Sequence, residues 1–143
     1  MLIPSWRLIA GWGFRHFSPH ELSCKCGGTY CRGEVFYDPD FMAALENMRD
    51  AYGGPIRVTS GHRCRLHNAR IGGAPRSMHK TIAVDLADPR EQSHREALYR
   101  AARVAGFTGF GFYRGWLHVD RGAPRHWTIP NQTEVRGLWI PQR

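Results

Sequence analysis

Two histidines and an aspartate, His79, Asp85 and His118, are the residues whose types and spacing suit metal chemistry. Two imidazoles and one carboxylate leave a tetrahedral zinc one open position, which is the arrangement of a catalytic rather than a structural site. Zinc lowers the pKa of a water in that position toward roughly 7, so a nucleophile exists at neutral pH. The same chemistry needs a group that carries the proton. Asp120 lies two residues beyond His118, and on a strand both side chains point the same way. That makes it either the general base or the partner that orients a ligand. With 8 histidines in the chain, spacing alone leaves ordinary hydrogen-bonded polar residues as an open alternative.

The cysteines pose a separate question. Cys24, Cys26 and Cys31 lie close together and Cys64 is distant. Cys-x-Cys-x4-Cys is not the familiar paired Cys-x2-Cys of zinc sites. Three readings stay open: a structural metal or crosslink tying the N-terminal loop to the Cys64 turn, disulfides formed after release from the cell, and buried free thiols. Of Trp6, Trp12, Trp116, Trp127 and Trp139, most are expected to fill core or terminal gaps. Trp116 is the exception, expected at the substrate because it shares a strand face with His118.

These side chains need elements to position them. Ser18-Pro19-His20-Glu21 is a capping box with Pro at the first helical position, flanked by Phe17 and Leu22, so a short helix begins there. Asp38-Pro39 opens a longer one through Phe41, Ala44, Leu45, Met48 and Tyr52, stopped at Gly53-Gly54. Residues 55–60 and 83–87 read as strands, and Cys64 to Ile71 as a short helix. Asp88-Pro89-Arg90-Glu91 repeats the capping-box pattern before a helix running to Ala105. From Gly109 to Gly122 the period becomes two, with Tyr113, Leu117 and Val119 on one face and Arg114, Trp116, His118 and Asp120 on the other. Helices and separated strands in mixed order predict an α+β fold with a small, mostly antiparallel sheet flanked by helices.

The chain has 143 residues, 42% hydrophobic, and reads as one domain over 1–143, with a core over about 17–127 and loose ends at 1–16 and 128–143. No run of 18 apolar residues exists, so no membrane span is expected. The start carries no secretory pattern, since Arg7 and Arg15 interrupt its apolar stretch, and synthesis in the cytoplasm is expected. The net charge is +8, and 18 of the 20 cations are arginines. Such a field favours nucleic acid, an acidic envelope polymer or an anionic surface. The arginines are spread from Arg7 to Arg143 rather than gathered in a block, which argues against a nucleic-acid arm.

Ser60-Gly61-His62-Arg63-Cys64 with His67-Asn68, then Gly72-Gly73-Ala74-Pro75-Arg76-Ser77-Met78-His79 running into Ala83-Val84-Asp85, and finally Trp116-Leu117-His118-Val119-Asp120, form an ordered set of motifs. In that order they resemble the zinc D-alanyl-D-alanine carboxypeptidase family, which includes phage endolysins that cut the L-alanyl-D-glutamate bond of peptidoglycan. The resemblance implies a Hedgehog/DD-peptidase-like domain with Zn2+ on His79, Asp85 and His118. It implies that Arg63 holds substrate near the metal, that Ser77 holds the loop before the first ligand, and that Asp120 belongs to the His-x-Asp of the small single-domain branch.

Two departures stand out. The family's His-x-x-Gly-x-Ala-x-Asp is one residue longer than His79 to Asp85 and has a glycine that is missing here. Many members carry an acid three positions before the last histidine, where this chain has Gly115. Either Asp120 takes that acid's role or the protein binds metal without cutting.

The resemblance therefore implies a zinc-dependent peptidase acting on the peptidoglycan stem peptide, monomeric, reaching the wall by holin-type release or on a virion, its arginines attracted by the anionic wall. A non-catalytic metal-binding structural or wall-binding domain of the same fold is the alternative. A zinc-ribbon nucleic-acid binder built on the cysteines is disfavoured by dispersed arginines and imperfect cysteine spacing, so no nucleic-acid partner is expected.

Overall fold

Ser18 opens the first helix as its neighbours dictate. Its hydroxyl accepts from the Glu21 amide at 3.4 Å while the Glu21 carboxylate accepts from the Ser18 amide at 2.7 Å, and Phe17 and Leu22 are both buried. The computed structural model describes residues 1–4 and 11–140; Trp6, Arg7 and Arg143 lie outside the described residues. In chain order the elements are β1 (Leu2–Pro4), α1 (Pro19–Leu22), β2 (Glu34–Phe36), α2 (Pro39–Tyr52), β3 (Val58–Ser60), α3 (Arg65–Arg70), β4 (Val84–Ala87), α4 (Gln92–Val104), β5 (Gly109–Phe112), β6 (Trp116–Asp120), β7 (Arg125–Thr128) and α5 (Arg136–Trp139).

A five-stranded sheet in the order β3-β4-β6-β5-β7 forms the centre, antiparallel except for the β5–β7 pair. The α+β class and the mostly antiparallel sheet flanked by helices match the sequence expectation. Strand alternation gives the sheet two unlike faces. Val84, Leu86, Phe110, Phe112, Leu117 and Val119 point into the core. Helix α2 meets them with Phe41, Leu45 and Met48, and α4 with Leu98, Ala102 and Tyr99, whose ring lies against Phe110 and Phe112. The opposite face carries Asp85, His118, Asp120, Gly109 and Gly111. Among the described residues no helix is long and apolar enough to cross a membrane.

Helix α2 starts and stops where its sequence says, with Asp38 accepting from the Asp40 and Phe41 amides and Gly53 closing it at φ 79°. Helix α4 does not. Asp88 accepts from the Arg90 amide at 2.7 Å and from Arg95 Nε at 2.8 Å, Arg90 takes φ 73°, and the helix begins only at Gln92 after Glu91. The Asx turn outcompeted the capping box for the Asp88 side chain.

The single strand expected over 109–122 is two strands joined by a turn at residues 113–115. Gly115 takes φ 94° there, and Tyr113 leaves the apolar row to stack on Trp116 at 4.6 Å and 9°. Within both terminal segments, described residues are tied to the rest of the fold. Leu2–Pro4 pairs with Glu34–Phe36, and Trp139 is fully buried with its indole N–H donating to the Tyr113 carbonyl at 3.1 Å. Neither tie is local in sequence.

Candidate metal centre

Asp85 and His118 are directly opposed in the antiparallel β4–β6 pair, so both side chains rise from the same spot on the same face. His79 reaches that spot from a 3₁₀ turn, Met78–Lys80, capped by Ser77, whose hydroxyl accepts from the His79 amide at 3.1 Å. The loop that is one residue shorter than the family pattern therefore closes by a tight turn and still brings both side chains to one place. His79 Nε2 lies 3.1 Å from Asp85 Oδ1, and His118 Nδ1 lies 3.1 Å from His79 Nε2 and 3.2 Å from Asp85 Oδ1.

Donor and acceptor bookkeeping tests whether this triangle suits a cation. His79 Nδ1 is 2.6 Å from the Gly61 carbonyl, which only accepts, so the proton of the neutral ring sits there and Nε2 is a bare lone pair. His118 Nε2 is 2.6 Å from Asp120 Oδ2, which assigns its proton in the same way and leaves Nδ1 bare. Three acceptors thus face one another in a buried place with no donor among them, an arrangement that a cation satisfies. Tetrahedral zinc bonds of about 2.05 Å would separate its ligands by about 3.3 Å, close to the triangle found. Two imidazole nitrogens and a carboxylate oxygen are donors that suit Zn2+.

The electrostatics agree. Burial would raise the Asp85 carboxyl, but when protons take a cation's place on the two imidazoles, their hydrogen bonds and charge, from His118 and then His79, hold it at about 2. Burial would lower the His118 imidazole, and its bonds to Asp120 and Asp85 raise it above the ordinary value instead. Both shifts favour the charged form of each group, so the triad accommodates added positive charge beside its carboxylate.

Asp120 stands behind His118. It is fully buried, and its oxygens accept from His118 Nε2, from the Gly122 amide at 2.9 Å and from both terminal nitrogens of Arg125 at 2.7 and 2.8 Å. Against burial, which raises its pKa, these donors push the carboxyl far below its usual range. The general-base role expected of Asp120 is not supported by this placement, because it touches the far nitrogen of His118 and does not line the cleft. It is placed as the orienting partner, the other role left open by the sequence.

The remaining expected residues surround the triad. A cleft of about 460 Å³ opens over it, walled by Arg63, Arg76, Ser77, Tyr113, Trp116 and Trp127. Arg63 donates to Ser77 Oγ at 3.4 Å, and its amide is bonded to the His79 carbonyl at 2.6 Å, so the Ser-Gly-x-Arg element and the ligand turn are held together. Cys24, Cys26, Cys31 and Cys64 form a second cluster, their sulfurs all within 4.8 Å of one another.

Sequence reasoning missed Arg125, Trp127 and the cleft position of Tyr113. Cross-strand register explains the first two, and Trp127 with Trp116 places the third. Gly109 lies between Asp120 and Arg125, and Gly111 between His118 and Trp127. A Cβ at Gly109 would meet Arg125 Nη1 at 2.0 Å and Asp120 Oδ1 at 2.1 Å, and one at Gly111 would meet the Trp127 ring at 2.7 Å. The bare backbone lets Arg125 cross to Asp120 and Trp127 lean on His118, ring centroids 4.9 Å apart. The Gly-x-Gly of β5 is the one local sign of this; β7 has no β-branched run to announce it. Trp127 Nε1 then donates to the Tyr113 hydroxyl at 2.7 Å.

Residues 15–120 match the family model described as Peptidase M15, a span that includes Arg63, Ser77 and all three members of the triad. No curated protein matches the chain.

Proposed function

The chain belongs to the peptidase M15 family, a family of zinc peptidases, and on that premise we propose that it hydrolyses peptide bonds in the stem peptides of bacterial peptidoglycan, as an endolysin-type endopeptidase or a D,D-carboxypeptidase. The observation that carries this reading is the triad of bare acceptors at the floor of a cleft whose walls are cationic and aromatic. Stem peptides carry free carboxylates, and arginine forks suit them.

The residues of the chain divide the work. His79, Asp85 and His118 hold Zn2+, with the Gly61 carbonyl and the Asp120 carboxylate fixing the two rings. Bound there, zinc supplies a Lewis acid and makes water acidic enough to attack near neutral pH. Arg63 lines the cleft and offers the guanidinium that also donates to Ser77 to a substrate carboxylate or to the charge that develops on the scissile carbonyl. Tyr113 accepts from Trp127, an N–H that can only donate, so its own proton is directed elsewhere and is available to substrate. Trp116 stacked on Tyr113 gives the peptide a flat apolar wall. The +8 charge favours adsorption to an anionic wall, which suits a lysin released by a holin or carried on a virion.

One observation favours a second reading, a domain that binds metal and wall peptide without cutting. Asp85 is the sole carboxylate among the residues lining the cleft, and Gly115 stands where similar sequences carry an acid. Mass spectrometry of synthetic stem pentapeptides incubated with the zinc-loaded protein separates the readings. A new internal amino end marks an endopeptidase, loss of one terminal residue a carboxypeptidase, and unchanged peptides retained on the protein the binding domain.

A further inference from the structure

The cysteine cluster takes no part in the chemistry above, yet its geometry is specific. Cys24 and Cys26 follow α1, Cys31 lies further along the same loop, and Cys64 is the residue that precedes α3. Two stretches of chain 40 residues apart at Cys24 and Cys64 thus bring four sulfurs within 4.8 Å of one another. The Cys26 and Cys31 sulfurs are 3.6 Å apart. A tetrahedron of zinc–sulfur bonds of about 2.3 Å has edges of about 3.8 Å, whereas a disulfide needs about 2.05 Å. All four thiols are free.

One backbone amide joins the two stretches at the cluster. The Cys64 amide donates to the Cys24 sulfur at 3.3 Å. An amide aimed at a sulfur stabilises a thiolate and has little to offer a disulfide. The loop is wound tightly by Gly27, Gly28 and Gly33, all at φ between 67° and 84°. Four thiolates on a divalent ion leave a charge of −2, and the cysteines are flanked in sequence by Lys25, Arg32, Arg63 and Arg65.

We propose that Cys24, Cys26, Cys31 and Cys64 form a second metal site, a closed four-thiolate cage for a structural Zn2+ that clamps the 24–33 loop to the start of α3. A four-coordinate cage has no open position, so it contributes to folding and not to hydrolysis. It fixes the segment that contains Arg63, one residue from Cys64. The inference stands apart from the peptidase reading, since it needs neither substrate nor the triad.

The test uses the full-length His118→Ala protein, in which the triad is disabled and the cysteines are intact, beside wild type. Both are purified without chelator, analysed for metal, and then exchanged with Co2+. The expected result is one equivalent of zinc kept by His118→Ala, a strong thiolate-to-cobalt charge-transfer band in the near ultraviolet in both proteins, and four thiols that react with an alkylating reagent only after chelator is added. The same band should be lost in the doubly substituted Cys26→Ser/Cys31→Ser protein if that variant folds. The proposal is overturned if His118→Ala carries no zinc and gives no thiolate–cobalt band, if the thiols react freely in the metal-loaded protein, or if intact mass shows the cysteines paired as disulfides.

Discussion

His118 and Asp120 rise from the same face of β6, and the 2.6 Å hydrogen bond between His118 Nε2 and Asp120 Oδ2 turns the other ring nitrogen toward His79 and Asp85. Asp120 is in turn gripped by Arg125 from β7 across the bare backbone of Gly109. His118 is therefore aimed into the triad by a chain of contacts that crosses three strands.

Asp120→Asn should weaken metal binding by roughly 10- to 100-fold, the usual effect of losing a carboxylate behind a ligating histidine. Arg63→Ala should leave metal affinity unchanged, because Arg63 touches the ligand turn only through its backbone and Ser77. Competition against a chromophoric chelator measures both. Equal affinities for Asp120→Asn and wild type would remove Asp120 from the metal centre.

Gly109→Ala should be far more damaging than an alanine on a strand normally is. The new methyl would meet Arg125 and Asp120 side-chain atoms at 2.0 and 2.1 Å, so Arg125 must release the buried Asp120 carboxylate or the strands must part. A loss of roughly 1–3 kcal/mol in urea unfolding is expected, as for other overpacked sites, together with weaker metal binding. A stable Gly109→Ala protein with normal metal affinity would contradict the crossing of Arg125 over β5.

Tyr113→Phe keeps the stacked ring and removes only the hydroxyl that Trp127 holds in place. A fall of roughly 10- to 100-fold in kcat with little change in KM is expected if that proton serves the reacting carbonyl. Arg63→Lys, which keeps the charge but not the fork, should lower kcat/KM by a similar factor. Steady-state rates on a defined stem peptide decide. An unaltered kcat for Tyr113→Phe would confine Tyr113 to a wall of the cleft.

Acid should erase one stabilising contact in a predictable window. Burial raises the Asp88 carboxyl, but its bonds to Arg95 and to the Arg90 amide outweigh that and hold it below the usual carboxylate range. A depressed folded-state pKa contributes stability that is complete above the unfolded value of about 3.9 and is lost as pH falls through the folded value. Asp88→Asn should therefore cost about 1 kcal/mol at neutral pH, and the gap to wild type should close as pH falls past the unfolded value and through the lower folded one. A gap that stays constant into acid would mean the carboxylate is not the group responsible.

Much of the site was legible because its ligands sit in local words of sequence. His79, Asp85 and His118 converge as their types suggested, and Ser77 and Arg63 stand where the Ser-Gly-x-Arg and Ser-x-His elements put them. What could not be read was long-range pairing. Arg125 and Trp127 matter through β7, a parallel edge strand whose partner β5 is chosen by the sheet and not by its own residues. The roles of Asp120 differ only in whether its carboxylate faces the cleft or the back of His118, and alternation along a strand gives the face without the depth. Helix α4 began late because Asp88 had two local partners open to it, a turn and a cap, which the sequence pattern weights alike.

The central claim is hydrolysis of wall peptides by a metal held on His79, Asp85 and His118. Its most direct measurement is mass spectrometry of purified peptidoglycan, from walls of several chemistries, digested by zinc-loaded wild type and by His118→Ala, with and without chelator. New amino and carboxyl ends in stem peptides are predicted for wild type alone, abolished by chelator and restored by zinc. Intact stem peptides from every wall, with folded protein and zinc bound at the triad, would contradict it.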